Sequence, residues 1–275
     1  MSLLNDALRA GTAPAPPKPG GPGQLLIAGG AGPLGSAVLE HALAASHWSP
    51  VSALVTQPIE VALRGLMALQ VSPDLSGQLP SRARAETAIV VFDRERSMHG
   101  REAAFLRPRP EQLAALARWL HAQGVRRMLL VLPHAPSLLP QALKAGLANL
   151  DEHAVAALGF DQLVVVRPTR TGGDAPVASA NAGRAPNAIL TRLARGMLAQ
   201  LIWLVPQRDQ PLRAAKVAQF VVALAQALPQ ATAGTRIAPP ELLWDWAQPD
   251  GGDAVLQAWL QQGHWAPVAA PMRRY

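Results

Sequence analysis

The stretch LLIAGGAGPLGSAVLEHAL, from Leu25 to Leu43, decides how the rest of the chain is read. Its first four residues are apolar, Gly29, Gly30, Gly32 and Gly35 follow, and Leu34, Val38 and Ala42 then recur at helical spacing beside Leu39 and Leu43. This pattern predicts a strand, a glycine turn and the start of a helix. Gly29, Gly32 and Gly35 stand at the spacing GxxGxxG. Glycine permits such a turn and lets the backbone come close to a pyrophosphate, while the free N–H groups of a helix N-terminus attract an anion. Gly29, Gly30, Gly32, Pro33, Leu34 and Gly35 are therefore the candidate residues for holding a dinucleotide. Pro33 suits a first-turn position but removes one N–H that would have faced a phosphate.

Working outward, short β-rich runs alternate with helical patterns. Strands are expected at 24–28, 51–55, 67–71, 87–92, 127–132 and 162–166, and several are continuous apolar runs such as AIVVF, MLLVL and LVVV. Strands of that kind are covered on both faces. Helices are expected at 34–45, 110–123, 139–158, 187–205, 212–228 and 253–262. In the second of these, Leu113, Leu116, Ala117 and Leu120 form one apolar face, with Pro110 at its start and Gly124 as its stop. The rhythm is that of βα units, an α/β, Rossmann-like, doubly wound parallel sheet with helices on both faces and a small C-terminal region.

Composition narrows the function classes. The 275 residues include no cysteine, which excludes disulfides, thiolate catalysis and zinc–thiolate sites. The seven histidines form no HxxxH or HExxH pair, so no metal is expected. The net charge of +7 would ordinarily raise nucleic acid as a partner. Only Lys18, Lys144 and Lys216 are lysines, and the arginines are spread along the chain, so no specific nucleic-acid role is expected. From 11 to 23, nine of thirteen residues are Gly or Pro, a flexible linker behind a short N-terminal segment. That N-terminus has no basic region or apolar run of secretory type, and a cytoplasmic protein is expected. The apolar stretch 189–205 contains Arg192 and Arg195 and is short for a membrane span. It is expected to pack within the chain or to form a homodimer or protein-partner contact.

The end of the second strand often carries an acidic residue for the adenosine ribose or a basic one for the 2′-phosphate of NADP. Val55, Thr56 and Gln57 are neither, which leaves NAD or NADP open with NADP slightly favoured. Thr56 is the candidate contact there, and Arg64 is a distant candidate for a phosphate, with a solvated helix residue as its favoured reading.

The glycine turn, the run AQGVRRMLLVLP and the segment DEHAVAALGFDQLVVVRP (151–168) together resemble the atypical short-chain dehydrogenase/reductases, nearest to the branch related to NmrA and to the Tat-interacting-protein-like reductases. The carrying residues are Glu152, Leu158, Gly159, Phe160, Asp161, Arg167 and Pro168. The later PLRAAKVAQFVVALAQAL (211–228) resembles a further family segment, with Lys216 where an aspartate is common. The resemblance covers about 24–240 and implies an NAD(P)-binding domain in which 169–240 contributes the substrate side, preceded by the 1–23 segment and followed by a 241–275 tail. It also implies Pro168 as a cofactor contact and a Tyr-x-x-x-Lys pair on the helix before the Arg-Pro strand. The tyrosine hydroxyl would exchange the substrate proton, the lysine would lower its pKa, and a serine would orient the carbonyl.

This chain departs from that pattern. The tyrosine position falls at Lys144, the lysine position at Ala148 and the serine position near Leu132 and Pro133, and the only tyrosine is Tyr275. Alanine has no ionisable group, and the usual proton relay is absent. The nearest substitutes are His134, Ser137 and Lys144, the candidate catalytic residues. Past the fourth strand come Asp93, Arg94 and Glu95, which either narrow the cofactor cleft or point into solvent. Two readings follow. One is a cofactor-binding sensor or accessory protein without the standard chemistry, meeting a partner through 189–205 and the tail tryptophans Trp244, Trp246, Trp259 and Trp265. The other is an active reductase or isomerase of a small carbonyl compound using a non-standard acid. For the tryptophans, packing within the chain is the alternative to an interface.

Overall fold

The computed structural model describes residues 23–59, 63–80, 83–93, 100–132, 154–168, 213–248 and 251–262. Within them the order is β1 (Leu25–Ala28), α1 (Gly32–Ala44), β2 (Val51–Val55), β3 (Leu66–Gln70), β4 (Thr87–Val91), α2 (Leu113–Ala122), β5 (Arg127–Val131), β6 (Gln162–Val166), α3 (Ala214–Ala227), β7 (Gly234–Ala238), α4 (Pro240–Ala247) and α5 (Asp253–Gln262). The strands form a seven-stranded sheet in the order β3-β2-β1-β4-β5-β6-β7, every pair parallel. This is a Rossmann-like α/β fold. The six expected strands are present with their ends moved by no more than one residue.

Each strand divides its side chains between two cores, as a period of two requires. Leu25 and Ile27 of β1 join a core with α1, α3, α4 and α5, while Leu26 and Ala28 point to the other face, where α2 supplies Leu113, Leu116, Ala117 and Leu120. Both cores are dry. That is why β1, β2 and β4 are buried at every position.

The seventh strand and α4 differ from the sequence expectation, each for a physical reason. β7 reads GTRIA, begins on a glycine and pairs only with β6, so half of it faces solvent. Its apolar residues are too few to signal a strand. Pro239 is the extended cap of α4 and Pro240 its first residue, where a missing N–H costs nothing. Two of the tail tryptophans turn inward, and Trp265 lies outside the described residues. Trp259 is 2% exposed in the α3 core, and Trp246 meets Phe220 edge-on at 5.4 Å between ring centroids.

On the opposite face, α2 anchors the connection from β3 to β4. The Leu79 N–H donates to Gln123 Oε1 at 2.7 Å, and Trp119 Nε1 and Gln123 Nε2 donate to the Gly77 carbonyl at 3.0 and 3.3 Å.

Because all strands run the same way, their carboxyl ends line one edge of the sheet. The strand order reverses between β1 and β4, and ligands of open α/β sheets bind in the crevice outside that point.

Candidate functional site

The glycine turn lies at this switch point, between β1 and α1. Gly29 and Gly32 have φ of 87° and 84°, in the left-handed region that a side chain disfavours. Space forbids side chains as well. A Cβ on Gly29 would run into the Val91 carbonyl oxygen, and one on Gly35 into the Gly29 carbonyl oxygen. The turn is thus packed against the end of β4 and against its own helix, with no slack for a methyl group.

Helix α1 does not cap itself. Ala31 stands at the cap with no side-chain hydrogen bond, and the first turn contains no acidic residue. The first N–H groups of a helix need an outside acceptor. Asp93, two residues past β4, brings one: its Oδ2 accepts from the Leu34 N–H at 3.0 Å and from the Gly35 N–H at 3.5 Å. The same carboxylate fills the space beside Gly32, where a Cβ would strike it. Ser36 turns its hydroxyl back to donate to the Gly32 carbonyl at 2.5 Å.

A second piece of chain crosses the same edge. Residues 105–108, which follow the 3-10 turn Gly100–Ala104, cross the carboxyl ends of β1 and β2 together with Ala104. The Gly29 N–H donates to the Leu106 carbonyl at 3.1 Å, the Leu106 N–H to the Leu54 carbonyl at 2.9 Å, and the Thr56 N–H to the Ala104 carbonyl at 2.7 Å. The Thr56 hydroxyl donates to that same carbonyl at 3.3 Å, and Phe105 forms an antiparallel bridge with Val55. The Phe105 ring packs against Gly30, and Pro108 against Gly29.

The candidate cofactor residues are brought together unequally. Gly29, Gly30, Gly32, Pro33, Leu34 and Gly35 form the turn, with Thr56 at the end of β2 one strand away. Pro168 is buried past the end of β6, three strands from β1, or about 14 Å at the usual strand spacing. Arg64 is solvated, though in the turn before β3 and not in a helix; the Val51 N–H bonds to the carbonyl of its neighbour Gly65, so it lies at the amino edge of the sheet, opposite the glycine turn and away from any phosphate there. His134, Ser137 and Lys144, with Pro133 and Ala148, lie outside the described residues, as does 189–205. Among the described residues no group of three or more His, Asp or Glu is placed to hold a metal ion, and no helix is long and apolar enough to cross a membrane.

The backbone of the turn therefore fits a pyrophosphate, but its neighbours in this conformation do not. Asp93 stands where a phosphate would meet the Leu34 and Gly35 N–H groups, and 104–108 covers the way to Thr56. Of the two outcomes open for Asp93 from sequence, the structure takes the one that narrows the cleft. Phe105 and Leu106 carried no sequence signal, since their part here is played largely by backbone groups.

No family model matches the chain, and no curated protein matches it either. Solved structures that resemble it include a Rossmann-fold NAD(P)-binding family protein from Shigella flexneri, 14% identical over 78% of this chain and 90% of that one, with a TM-score of 0.44. A nucleoside-diphosphate-sugar epimerase from Staphylococcus aureus is 13% identical over 87% of this chain and 89% of its own, with a TM-score of 0.41. The UDP-N-acetylglucosamine 4-epimerase from Bacillus cereus is 12% identical over 78% of this chain and 75% of that one, with a TM-score of 0.40. The fold assignment rests on the sheet order itself.

Proposed function

We propose that this chain is a nicotinamide-dinucleotide-binding protein of the short-chain dehydrogenase/reductase kind that works as a cofactor-responsive sensor or accessory protein, without the oxidoreductase chemistry of that family. The observation that carries the reading is the hydrogen bond from the Leu34 N–H to a carboxylate. A turn in which glycines are imposed by collision, followed by a helix whose first free N–H groups hold an anion, has the two properties a pyrophosphate needs. In this reading the N–H groups of Leu34 and Gly35 take the pyrophosphate, Thr56 stands beside the adenosine and Pro168 beside the nicotinamide. Neither Thr56 nor Gln57 is acidic, so nothing there repels a 2′-phosphate, and this is the reason for favouring NADP.

A bound nicotinamide dinucleotide supplies a hydride donor or acceptor. What this chain lacks is the partner for the proton: Lys144 and Ala148 stand at the positions of the family's tyrosine and lysine. The test is a titration with NADH and NADPH, following cofactor fluorescence and thermal unfolding. Saturation at a hundred times Kd should stabilise the protein by about 2.7 kcal/mol. The expected result is binding, tighter for NADPH, with no oxidation of the cofactor across a panel of aldehydes and ketones. Absence of binding at millimolar cofactor, also when the Asp93 carboxylate is removed, overturns the reading. Turnover overturns the sensor, and turnover abolished by His134→Ala or Lys144→Ala would assign the chemistry to those residues.

A further inference from the structure

We propose that the chain carries its own occupant of the dinucleotide cleft, with the Asp93 carboxylate in the place of the pyrophosphate and residues 104–108 in the place of the adenosine, so that a nucleotide binds only by displacing them. This rests on the cofactor reading above and names how that site is regulated.

Three observations converge on it. The carboxylate engages two backbone N–H groups of the first turn of α1, the groups a phosphate oxygen would use, and it lies within the space that Gly32 keeps open. Residues 104–108 are fastened to both strands that flank the adenosine position, through the Gly29, Thr56 and Leu106 N–H groups. The same segment lays Phe105 on Gly30 and Pro108 on Gly29, so the glycines that would expose backbone to a ligand are covered by side chains of the chain itself. Two like-charged groups do not share one helix N-terminus, and a nucleotide phosphate and Asp93 are therefore alternatives there. The apparent affinity for nucleotide is reduced by the fraction of molecules in which the internal occupant stays in place. Such an arrangement sets a threshold concentration below which a sensor stays in its unliganded form.

The experiment compares the full-length protein with its Asp93→Asn and Asp93→Ala variants, titrated with NADPH and NADH by calorimetry, with thermal unfolding as the measure of folding. Asparagine keeps a side-chain oxygen for the Leu34 N–H and removes the charge, so it serves if the alanine variant does not fold. Loss of the competing carboxylate should tighten nucleotide binding on the order of tenfold, the scale of a helix-cap interaction. In the wild-type protein, hydrogen exchange at the Gly29, Thr56 and Leu106 amides should quicken when nucleotide is added. Binding seen only in the variants also supports the occupant. Affinities equal within about twofold, or a wild-type protein that binds nucleotide without faster exchange at the three amides, overturn the inference and leave the cofactor reading standing. No binding in any of the three proteins overturns the cofactor reading, and the occupant with it.

Discussion

At Gly35 the demand for glycine comes from a collision and not from a dihedral angle. The residue is helical, and the obstacle to a side chain is the Gly29 carbonyl oxygen across the turn. Gly35→Ala should therefore destabilise the protein by about 1–3 kcal/mol through forced backbone movement. A shift in the midpoint of denaturant unfolding with an unchanged slope would measure this, and an unshifted midpoint would mean that the turn has slack the packing does not show. The spacing of the glycines was legible in the sequence because it is a local property. The hand that Asp93 extends to them was only half legible: its charge and its place after β4 could be read, but its direction depends on how β4 lies beside β1. Phe105 and Leu106 could not be read at all, because a backbone carbonyl that meets Gly29 looks the same in every sequence.

Among the elements, those that satisfy themselves were the ones the sequence foretold. β1, β2 and β4 are buried throughout, and β1 and the AIVV of β4 read as unbroken apolar runs, while α2 reads through the spacing of Leu113, Leu116, Ala117 and Leu120. β7 was hidden because an edge strand needs fewer apolar residues, and its Arg236 is buried while Ile237 is 52% exposed. α2 also illustrates how an element reaches beyond its own face. Gln123 follows its last turn and supplies the acceptor for the buried Leu79 N–H. Gln123→Ala should leave that donor without a partner and cost about 1–3 kcal/mol. Gln123→Glu, which keeps an oxygen for the Leu79 N–H but sets a second oxygen against the Gly77 carbonyl in place of the donor, should cost less if the Leu79 bond dominates. Thermal unfolding of the two variants orders the contributions, and equal losses would assign them to the Gly77 carbonyl instead.

For the molecule as a whole, the order of the strands separates what is near in sequence from what is near in space. The strand–turn–helix unit at the start of the sheet spans only Leu25 to Ala44, yet the acceptor that completes its helix is 59 residues from Leu34. That acceptor arrives only once β4 has taken its place against β1. In kinetic terms, the cap of α1 is expected to be a late contact, formed after the central strands assemble. Asp93→Ala should accordingly hasten unfolding several-fold while leaving the refolding rate unchanged, a φ-value near zero in stopped-flow measurements. Slower refolding would place the carboxylate in the nucleus instead. On that outcome, a helix that begins at the most sequence-local motif of the chain would be one of the last parts to be secured, and would lose its cap when β4 parts from β1.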